Sequence, residues 1–196
     1  MPRKKKIESE AAIAAALGVF WQSGYVGAGT RDIEEQTGIT KFTLQKTYGG
    51  KEGLFLETLD AYLDAAEARH FPRGDTFDLE DLAKWFEDLV SPAKMPVVDQ
   101  AGCLAFNSIA GFDRGNDAVN ARVERYLNGF ESRVTQILQR AAEAGQLKPG
   151  LEVAPLANLL VTQLLGLHVL IKARPDDRFM KQYGSACAAL IRGWTA

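Results

Sequence analysis

The 196-residue sequence is poor in the residues that build metal sites and disulfides. It contains two cysteines, Cys103 and Cys187, which lie far apart and form no metal-ligand spacing. Its two histidines, His70 and His168, are equally isolated. This scarcity argues against a metalloprotein and a disulfide scaffold, and it favours a reduced, cytoplasmic setting. We expect no metal and no cofactor.

The sequence also has no long uninterrupted apolar run, and from its basic start we expect no signal peptide. The longest apolar-rich segment, residues 153–171, is interrupted by polar residues and a proline. We therefore expect a buried helix there and no membrane span. With 46% hydrophobic and 24% charged residues, the composition is that of a globular protein and excludes a disordered chain.

Charge is distributed unevenly, although the net charge is only −2. Residues 1–53 carry eight Lys and Arg against six Asp and Glu, whereas the other 143 residues carry fifteen against nineteen. Four of the basic residues lie together in residues 2–6. The N-terminal quarter is therefore the part of the chain suited to meet phosphate.

Apolar residues recur with helical spacing along the whole chain, and no segment alternates as a strand does. The pattern predicts an all-α protein of about nine helices. We expect them at residues 8–23, 30–37, 41–47, 51–70, 79–90, 103–112, 117–144, 153–172 and 177–194. The predicted domains are a three-helix N-terminal domain, residues 1–50, and a larger helical domain, residues 51–196.

The second and third predicted helices are short and meet at Gly38, which can adopt the positive φ of a tight turn. Ile33, Ile39 and Leu44 can pack the two helices together. Such a unit is a helix-turn-helix, whose third helix enters the major groove of DNA. A structural helical hairpin with a solvated face is the alternative, but the neighbouring basic segment favours DNA.

The outward side chains of the third helix suit contacts with base edges. Gln can bond adenine, Lys can bond guanine or phosphate, and Phe or the methyl group of Thr can meet the thymine methyl. The expected groove contacts are Thr40, Lys41, Phe42, Thr43, Gln45 and Lys46. Tyr48 and Lys51, just beyond this helix, are expected to hold phosphate.

Four short motifs in this region form a recognisable set. They are F-x-x-x-G-Y at residues 20–25, R-D-I at 31–33, G-I-T-K-x-T-L at 38–44 and K-E-x-L-F at 51–55. Together they resemble the N-terminal domain of the TetR (tetracycline repressor) family of transcriptional regulators. In the C-terminal part, "AGCLAFNS" and "AAEAGQL" are similar to a branch of that family that includes sensors of reactive electrophiles.

The resemblance implies a homodimer that binds a double-stranded DNA operator and is released by a small-molecule inducer. It implies a regulator with no enzymatic activity. It also adds Thr30 and Arg31, at the start of the second helix, to the expected DNA contacts. The alternatives are an enzyme with a helical active site, for which we find no nucleophile–base set, and a ligand-binding protein that has lost DNA recognition.

Five positions depart from the usual family pattern. Ala28 and Gly29 stand where relatives usually have Thr-Ser, whose hydroxyls cap the second helix and touch phosphate. Glu34 replaces a small Ala, Gln45 replaces a Tyr that commonly contacts phosphate, and Phe42 stands where a small residue is common. Because a lost cap typically costs about 1 kcal/mol, we expect an altered or weaker DNA surface.

Polar and aromatic residues of the C-terminal helices are candidates for an inducer pocket, since ligand pockets are largely apolar with a few polar groups. Aromatic residues here are more often core. The candidate set is Trp85, Phe86, Cys103, Phe106, Asn107, Phe130, Gln163 and His168. Cys103 opens a helix whose dipole favours a reactive thiolate; the alternative is a small buried residue.

Small and apolar positions in the last two helices predict a four-helix seam between two copies of the chain. Packing within one chain is the alternative. The predicted seam residues are Leu159, Leu160, Gln163, Leu164, Leu167, Ala186, Ala189 and Leu190.

Overall fold

A computed structural model describes residues 2–72, 76–91, 102–112, 115–173 and 176–196. Within those ranges the chain forms nine α-helices, and the remaining regular structure is one isolated bridge between Leu147 and Thr195. The all-α prediction is confirmed. The helices are α1 (Pro2–Gly27), α2 (Thr30–Thr37), α3 (Lys41–Tyr48), α4 (Lys51–His70), α5 (Leu79–Leu89), α6 (Leu104–Phe112), α7 (Asp117–Glu143), α8 (Val153–Ala173) and α9 (Asp177–Arg192).

Helices α2 to α9 agree with the predicted bounds to within two residues, but the prediction for α1 was too short. Helix α1 begins at Pro2, because proline is tolerated in a first helical turn and the lysines that follow are good helix formers. The predicted break at Gly24 is present as a positive φ of 66° inside this element. The loop predicted at residues 91–102 lies mostly outside the described residues.

Two compact units divide the chain. The first contains Met1–Arg69 and Cys103–Arg125, and the second contains His70–Gly102 and Tyr126–Ala196. We call them the N-terminal unit and the C-terminal unit. The predicted functional boundary at residue 50 is a separate claim and stays a prediction.

Aromatic rings and ion pairs stabilise the N-terminal unit. The Phe20 ring meets the Phe55 ring edge-on at 5.0 Å, and Tyr25 stacks on Phe112 with ring centroids 4.3 Å apart. On α7, Arg122 pairs with Asp60 of α4 at 2.8 Å. Helix α6 and the start of α7 are thereby fixed to the helices that surround the predicted helix-turn-helix.

The close packing of α5 against α9 organises the C-terminal unit. A side-chain methyl group at Gly184 would collide with Val90, so the two helices approach at this glycine. Arg192 then joins them by hydrogen bonds to Glu80, at 2.6 Å, and Glu87, at 3.0 Å. The hydrogen bond from Arg192 holds the pKa of Glu80 below its usual range.

Helix α8 differs from the sequence-based expectation. It is long and apolar enough, by length and composition, to cross a membrane, yet only 28% of its most apolar window is buried in the chain. Its buried stripe follows the spacing of a single helix face, and the described part of the chain leaves much of the opposite face uncovered. The stripe is Leu156, Ala157, Leu160, Leu164 and Leu167.

Candidate nucleic-acid interface

The turn between α2 and α3 is built from Gly38 and Thr37. Gly38 has φ 70° and donates its N–H to the carbonyl oxygen of Glu34 at 2.9 Å. The Thr37 hydroxyl donates to the Ile33 carbonyl at 2.6 Å and accepts from the Ile39 N–H at 3.0 Å. These bonds satisfy the backbone groups that a helix end leaves open, and they fix the angle between the helices.

Helix α3 is fixed at both ends. Thr40 caps its N-terminus by accepting the Thr43 N–H at 3.2 Å, and its hydroxyl also donates to the Thr43 hydroxyl at 3.1 Å. Gly49, with φ 74°, ends the helix and donates to the Gln45 carbonyl at 3.2 Å. Leu44 is the residue of α3 that is buried, at 3% exposure. Although only one of its eight residues is buried, α3 has a defined orientation because hydrogen bonds fix both of its ends.

The expected groove residues all lie on the exposed part of this element. Thr40, Lys41, Phe42, Thr43, Gln45 and Lys46 are exposed, while Tyr48 is half-buried. Their exposure and shared surface agree with the sequence pattern. Contact with DNA itself stays a prediction for each of them.

Phe42 and Lys46 form a pair on this surface. Phe42 is 72% exposed, and the Lys46 ammonium lies 5.6 Å from the centre of its ring. A cation over an aromatic face is a weak attraction at an exposed site, about 0.5–1 kcal/mol. It holds the ammonium beside an apolar ring on the outer side of α3.

Two of the five departures from the family pattern, Ala28 and Gly29, lie at the start of α2. Gly29 occupies the cap position and offers no side-chain acceptor; its own N–H donates to the Asp32 carboxylate at 3.1 Å. The methyl group of Ala28 is fully buried, so that position presents no side chain to solvent. Arg31 is exposed and paired with Glu35 at 2.9 Å, and Thr30 is exposed. The expected contacts Thr30 and Arg31 are therefore both exposed, and Arg31 already has the Glu35 carboxylate as a partner.

The Lys51 side chain, which was expected to contact phosphate, forms hydrogen bonds within the chain. Its ammonium donates to the carbonyl oxygens of Tyr25, at 2.8 Å, and Ala28, at 2.9 Å, and lies 4.5 Å from the centre of the Tyr25 ring. Two of its three N–H groups thus tie α4 to the end of α1, at Tyr25, and to Ala28, which follows α1. We call this arrangement the lysine clamp.

Tyr25 is a partner of Lys51 that the sequence analysis did not identify. Its backbone carbonyl oxygen accepts a hydrogen bond from the Lys51 ammonium. Burial raises the pKa of its phenol, with a smaller contribution from the charge of Glu52. The available signal was its place in the F-x-x-x-G-Y motif, where the positive φ of Gly24 turns the chain toward α4.

The expected inducer contacts divide between the two units. Trp85, Phe86 and Phe130 belong to the C-terminal unit, where the Trp85 ring stacks on Phe130 at 5.4 Å and meets Phe86 at 4.9 Å. Phe86 and Phe130 are fully buried. Cys103 belongs to the N-terminal unit and is buried, at 1% exposure. Phe106 and Asn107 are half-buried in α6, and His168 is half-buried in α8.

Gln163 of the expected inducer set already has partners within its own unit. Its side-chain oxygen accepts the Tyr183 hydroxyl at 2.8 Å, and the Cys187 thiol lies 3.7 Å away. Burial raises the pKa values of both Tyr183 and Cys187. In the part of the chain that the structure describes, no group of three or more His, Cys, Asp or Glu side chains could hold a metal ion.

A short, capped helix that exposes cationic, amide, hydroxyl and aromatic side chains after a glycine turn defines a helix-turn-helix DNA-binding protein. A model described as "Bacterial regulatory proteins, tetR family" matches residues 12–58, and one described as "Tetracyclin repressor-like, C-terminal domain" matches residues 79–187. The chain belongs to the TetR family of DNA-binding transcriptional regulators.

Individual relatives agree with this assignment. The chain is 29% identical over 174 residues to the HTH-type transcriptional repressor ComR of Escherichia coli, covering 85% of this chain and 80% of ComR. It is 26% identical over 179 residues to the HTH-type transcriptional regulator YezE of Bacillus subtilis, covering 90% and 92%.

Solved structures share the fold at lower identity. A TetR transcriptional regulator from Chloroflexus aurantiacus superposes with a TM-score of 0.81 at 20% identity, covering 98% of each chain. A cysteine mutant of the TetR-family regulator CifR, complexed with a 26-bp operator duplex, superposes with a TM-score of 0.71 at 24% identity, covering 94% of this chain and 95% of that one.

Proposed function

We propose that this protein is a repressor that binds a pseudo-palindromic operator as a homodimer and leaves it when a small molecule binds. The observation that carries the proposal is the fixed and outward-facing surface of α3. Two similar proteins support it: ComR is named a transcriptional repressor, and the CifR mutant is complexed with operator DNA. The protein would act in the cytoplasm, as a regulator and not as an enzyme.

The proposed DNA contacts fall into two groups. Residues 40–43, Gln45 and Lys46 face base edges in the major groove, and Thr30, Arg31 and Tyr48 face phosphates. Lys51 has one N–H left after the lysine clamp, so its main contribution is to position the start of α2, with a single bond available to phosphate.

A second copy of the chain is proposed to cover α8 and α9. Val169 is 64% exposed in the apolar helix α8, and Leu190, Ala186 and Ala189 are exposed in α9. Of the predicted seam, Leu160, Leu164 and Leu167 are instead buried within one chain. A pseudo-palindromic operator requires that the two recognition helices of the proposed dimer lie about one DNA turn apart.

Inducer release requires a ligand that binds one conformation of the dimer more tightly than the other, and coupling of about 1–3 kcal/mol is typical. In the C-terminal unit, the candidates for a ligand contact are the aromatic group around Trp85 and the half-buried His168. In the N-terminal unit, the half-buried Asn107 is a separate candidate. Cys103 would add a thiol that reacts with electrophiles, although its burial favours a packing role.

Binding to labelled duplexes from the protein's own promoter region, over a salt series, tests the proposal. We expect the affinity to fall steeply with salt. Lys41 can bond a phosphate as well as a guanine, and if it holds a phosphate, Lys41→Gln should weaken binding and reduce the slope by about one. The exposed Lys84 of α5, which lies outside both α3 and the proposed dimer surface, is the matched control; Lys84→Gln should leave the slope unchanged. Salt-independent or absent binding would refute operator recognition, and equal affinity with and without every bound ligand would refute induction.

The second candidate function is a helical small-molecule-binding protein with weakened or lost DNA recognition. Two features at the start of α2 favour it, because both weaken the contact that this helix can make with phosphate. Gly29 lacks a capping side chain, and Arg31 is paired with Glu35. Promoter duplexes that fail to bind the dimer at low salt, while the dimer still binds small molecules, would favour this function over the first.

A further inference from the structure

The exposed ring of Phe42 lies where the first turn of α3 would approach the bases. Phe42 is the second residue of α3, and residues at the N-terminal end of a recognition helix contact base edges. Leu44, two residues later, is buried; a step of two residues is about 200° around a helix, so Phe42 projects from the opposite side.

The surroundings of Phe42 distinguish it from an isolated surface hydrophobe. Single exposed apolar side chains are common and need no partner. Here, however, the ring is 72% exposed among Lys41, Thr43, Gln45 and Lys46, all of which are exposed, and the Lys46 ammonium lies over it at 5.6 Å. An apolar ring surrounded by groups that bind phosphate and base edges suits a target that is apolar and lies within the groove.

The major groove offers few targets of that chemistry. Base edges there present hydrogen-bond donors, acceptors and the C5-methyl group of thymine. A phenyl ring neither donates nor accepts a conventional hydrogen bond, so the methyl group is the base feature that it can recognise. The Lys46 cation attracts the ring face and thereby restricts its rotation.

Resting on the proposed operator binding, we propose that Phe42 is a specificity-determining residue that reads the C5-methyl group of one thymine in each operator half-site. Lys46 orients the ring and places its ammonium beside the same base pair, where it can reach a neighbouring guanine or phosphate. Gln45, exposed on the same helix, is left to form hydrogen bonds with an adjacent base.

The test compares duplexes that differ by methyl groups alone. The full-length protein first selects its preferred sequence from random duplexes, and each thymine of that sequence is then replaced by deoxyuridine, which keeps the base pairing and lacks the methyl group. We expect one position per half-site at which the replacement weakens binding about fourfold, the value of one buried methyl-sized group. Changing both half-sites should weaken binding about sixteenfold.

Phe42→Ala should remove this sensitivity: its overall affinity is lower, but deoxyuridine at that position has no further effect. Val26→Ala is the matched control, because Val26 is 76% exposed in the same unit and lies outside α3; it should keep the fourfold effect. The proposal is overturned if wild-type protein binds its selected duplex but is indifferent to every deoxyuridine, or if Phe42→Ala keeps the same sensitivity. Failure to select any duplex would instead refute the operator binding on which the proposal rests.

Discussion

Helix α3 has eight residues and buries one of them, whereas α9 has sixteen and buries five. Helix α3 is positioned by hydrogen bonds at its two ends, and α9 is positioned by a packed face, a glycine contact and an arginine that bonds two glutamates. A recognition helix can bury few of its side chains, because most of them have to remain available for DNA. Its orientation therefore depends on caps and a single apolar anchor.

The largest effect is expected from removing that anchor. Leu44→Ala should destabilise the N-terminal unit by about 2–5 kcal/mol, because a buried leucine is replaced by a cavity. Gln45→Ala, at the exposed neighbour, should leave thermal stability nearly unchanged and lower DNA affinity. Denaturant unfolding and duplex binding of both variants measure the contrast, and equal stability losses would contradict it.

The packed pair α5–α9 can be disrupted at Gly184. A Cβ atom there meets the Val90 side chain and lies 3.3 Å from the Phe86 carbonyl oxygen, so Gly184→Ala should cost about 1–3 kcal/mol through overpacking. Gly18 of α1 has open space around it, and Gly18→Ala should stabilise the helix by about 0.5–1 kcal/mol. If calorimetry gave the two variants shifts of the same sign, the close approach of α5 and α9 would be refuted.

Breaking the lysine clamp should lower stability less than Leu44→Ala or Gly184→Ala does, and it should also lower the affinity for DNA. Lys51→Met leaves the carbonyls of Tyr25 and Ala28 without their ammonium partner, and in this half-buried setting we expect a loss of about 1–2 kcal/mol. DNA affinity should fall with it, since α2 loses a fixed start. Lys41→Met should weaken binding without changing the unfolding midpoint; a loss of stability as large as that of Lys51→Met would contradict the clamp.

The smallest effect concerns the exposed Glu80–Arg192 contact. Because the folded-state pKa of Glu80 lies below its ordinary value of 4.5, the contact contributes stability above that pH and loses it as the pH falls through the lowered value. Glu80→Gln should thus lower the melting temperature slightly at pH 7 and have no effect in strong acid.

Local signals in the sequence were enough to predict most of the fold. Helix ends were predicted correctly from two kinds of residue. Gly38 and Gly145 have the left-handed conformation that ends a helix, and the side chain of Asp78 caps the start of α5. Buried Ile33, Ile39 and Leu44 followed from spacing. The start of α1 was misplaced because a basic segment has no apolar period, although lysine and arginine favour helix as strongly as many core residues do.

Long-range contacts could not be read from the same patterns. The pairing of Lys51 with carbonyls 23 and 26 residues earlier depends on how α4 packs, and nothing in the composition of the motif encodes it. The buried Leu160, Leu164 and Leu167 were assigned to a dimer seam because an apolar stripe has the same period whether its partner is the same chain or another.

In the proposed operator complex, Arg31 would meet a phosphate while it is already paired with Glu35. Binding that phosphate would exchange one anionic partner for another, so it would release less of the counterion atmosphere than an unpaired arginine would. Losing the charge of Glu35 should then tighten binding to all sequences alike. Under the proposed function, a single substitution at Glu35 would raise the strength of repression without changing which operator is chosen.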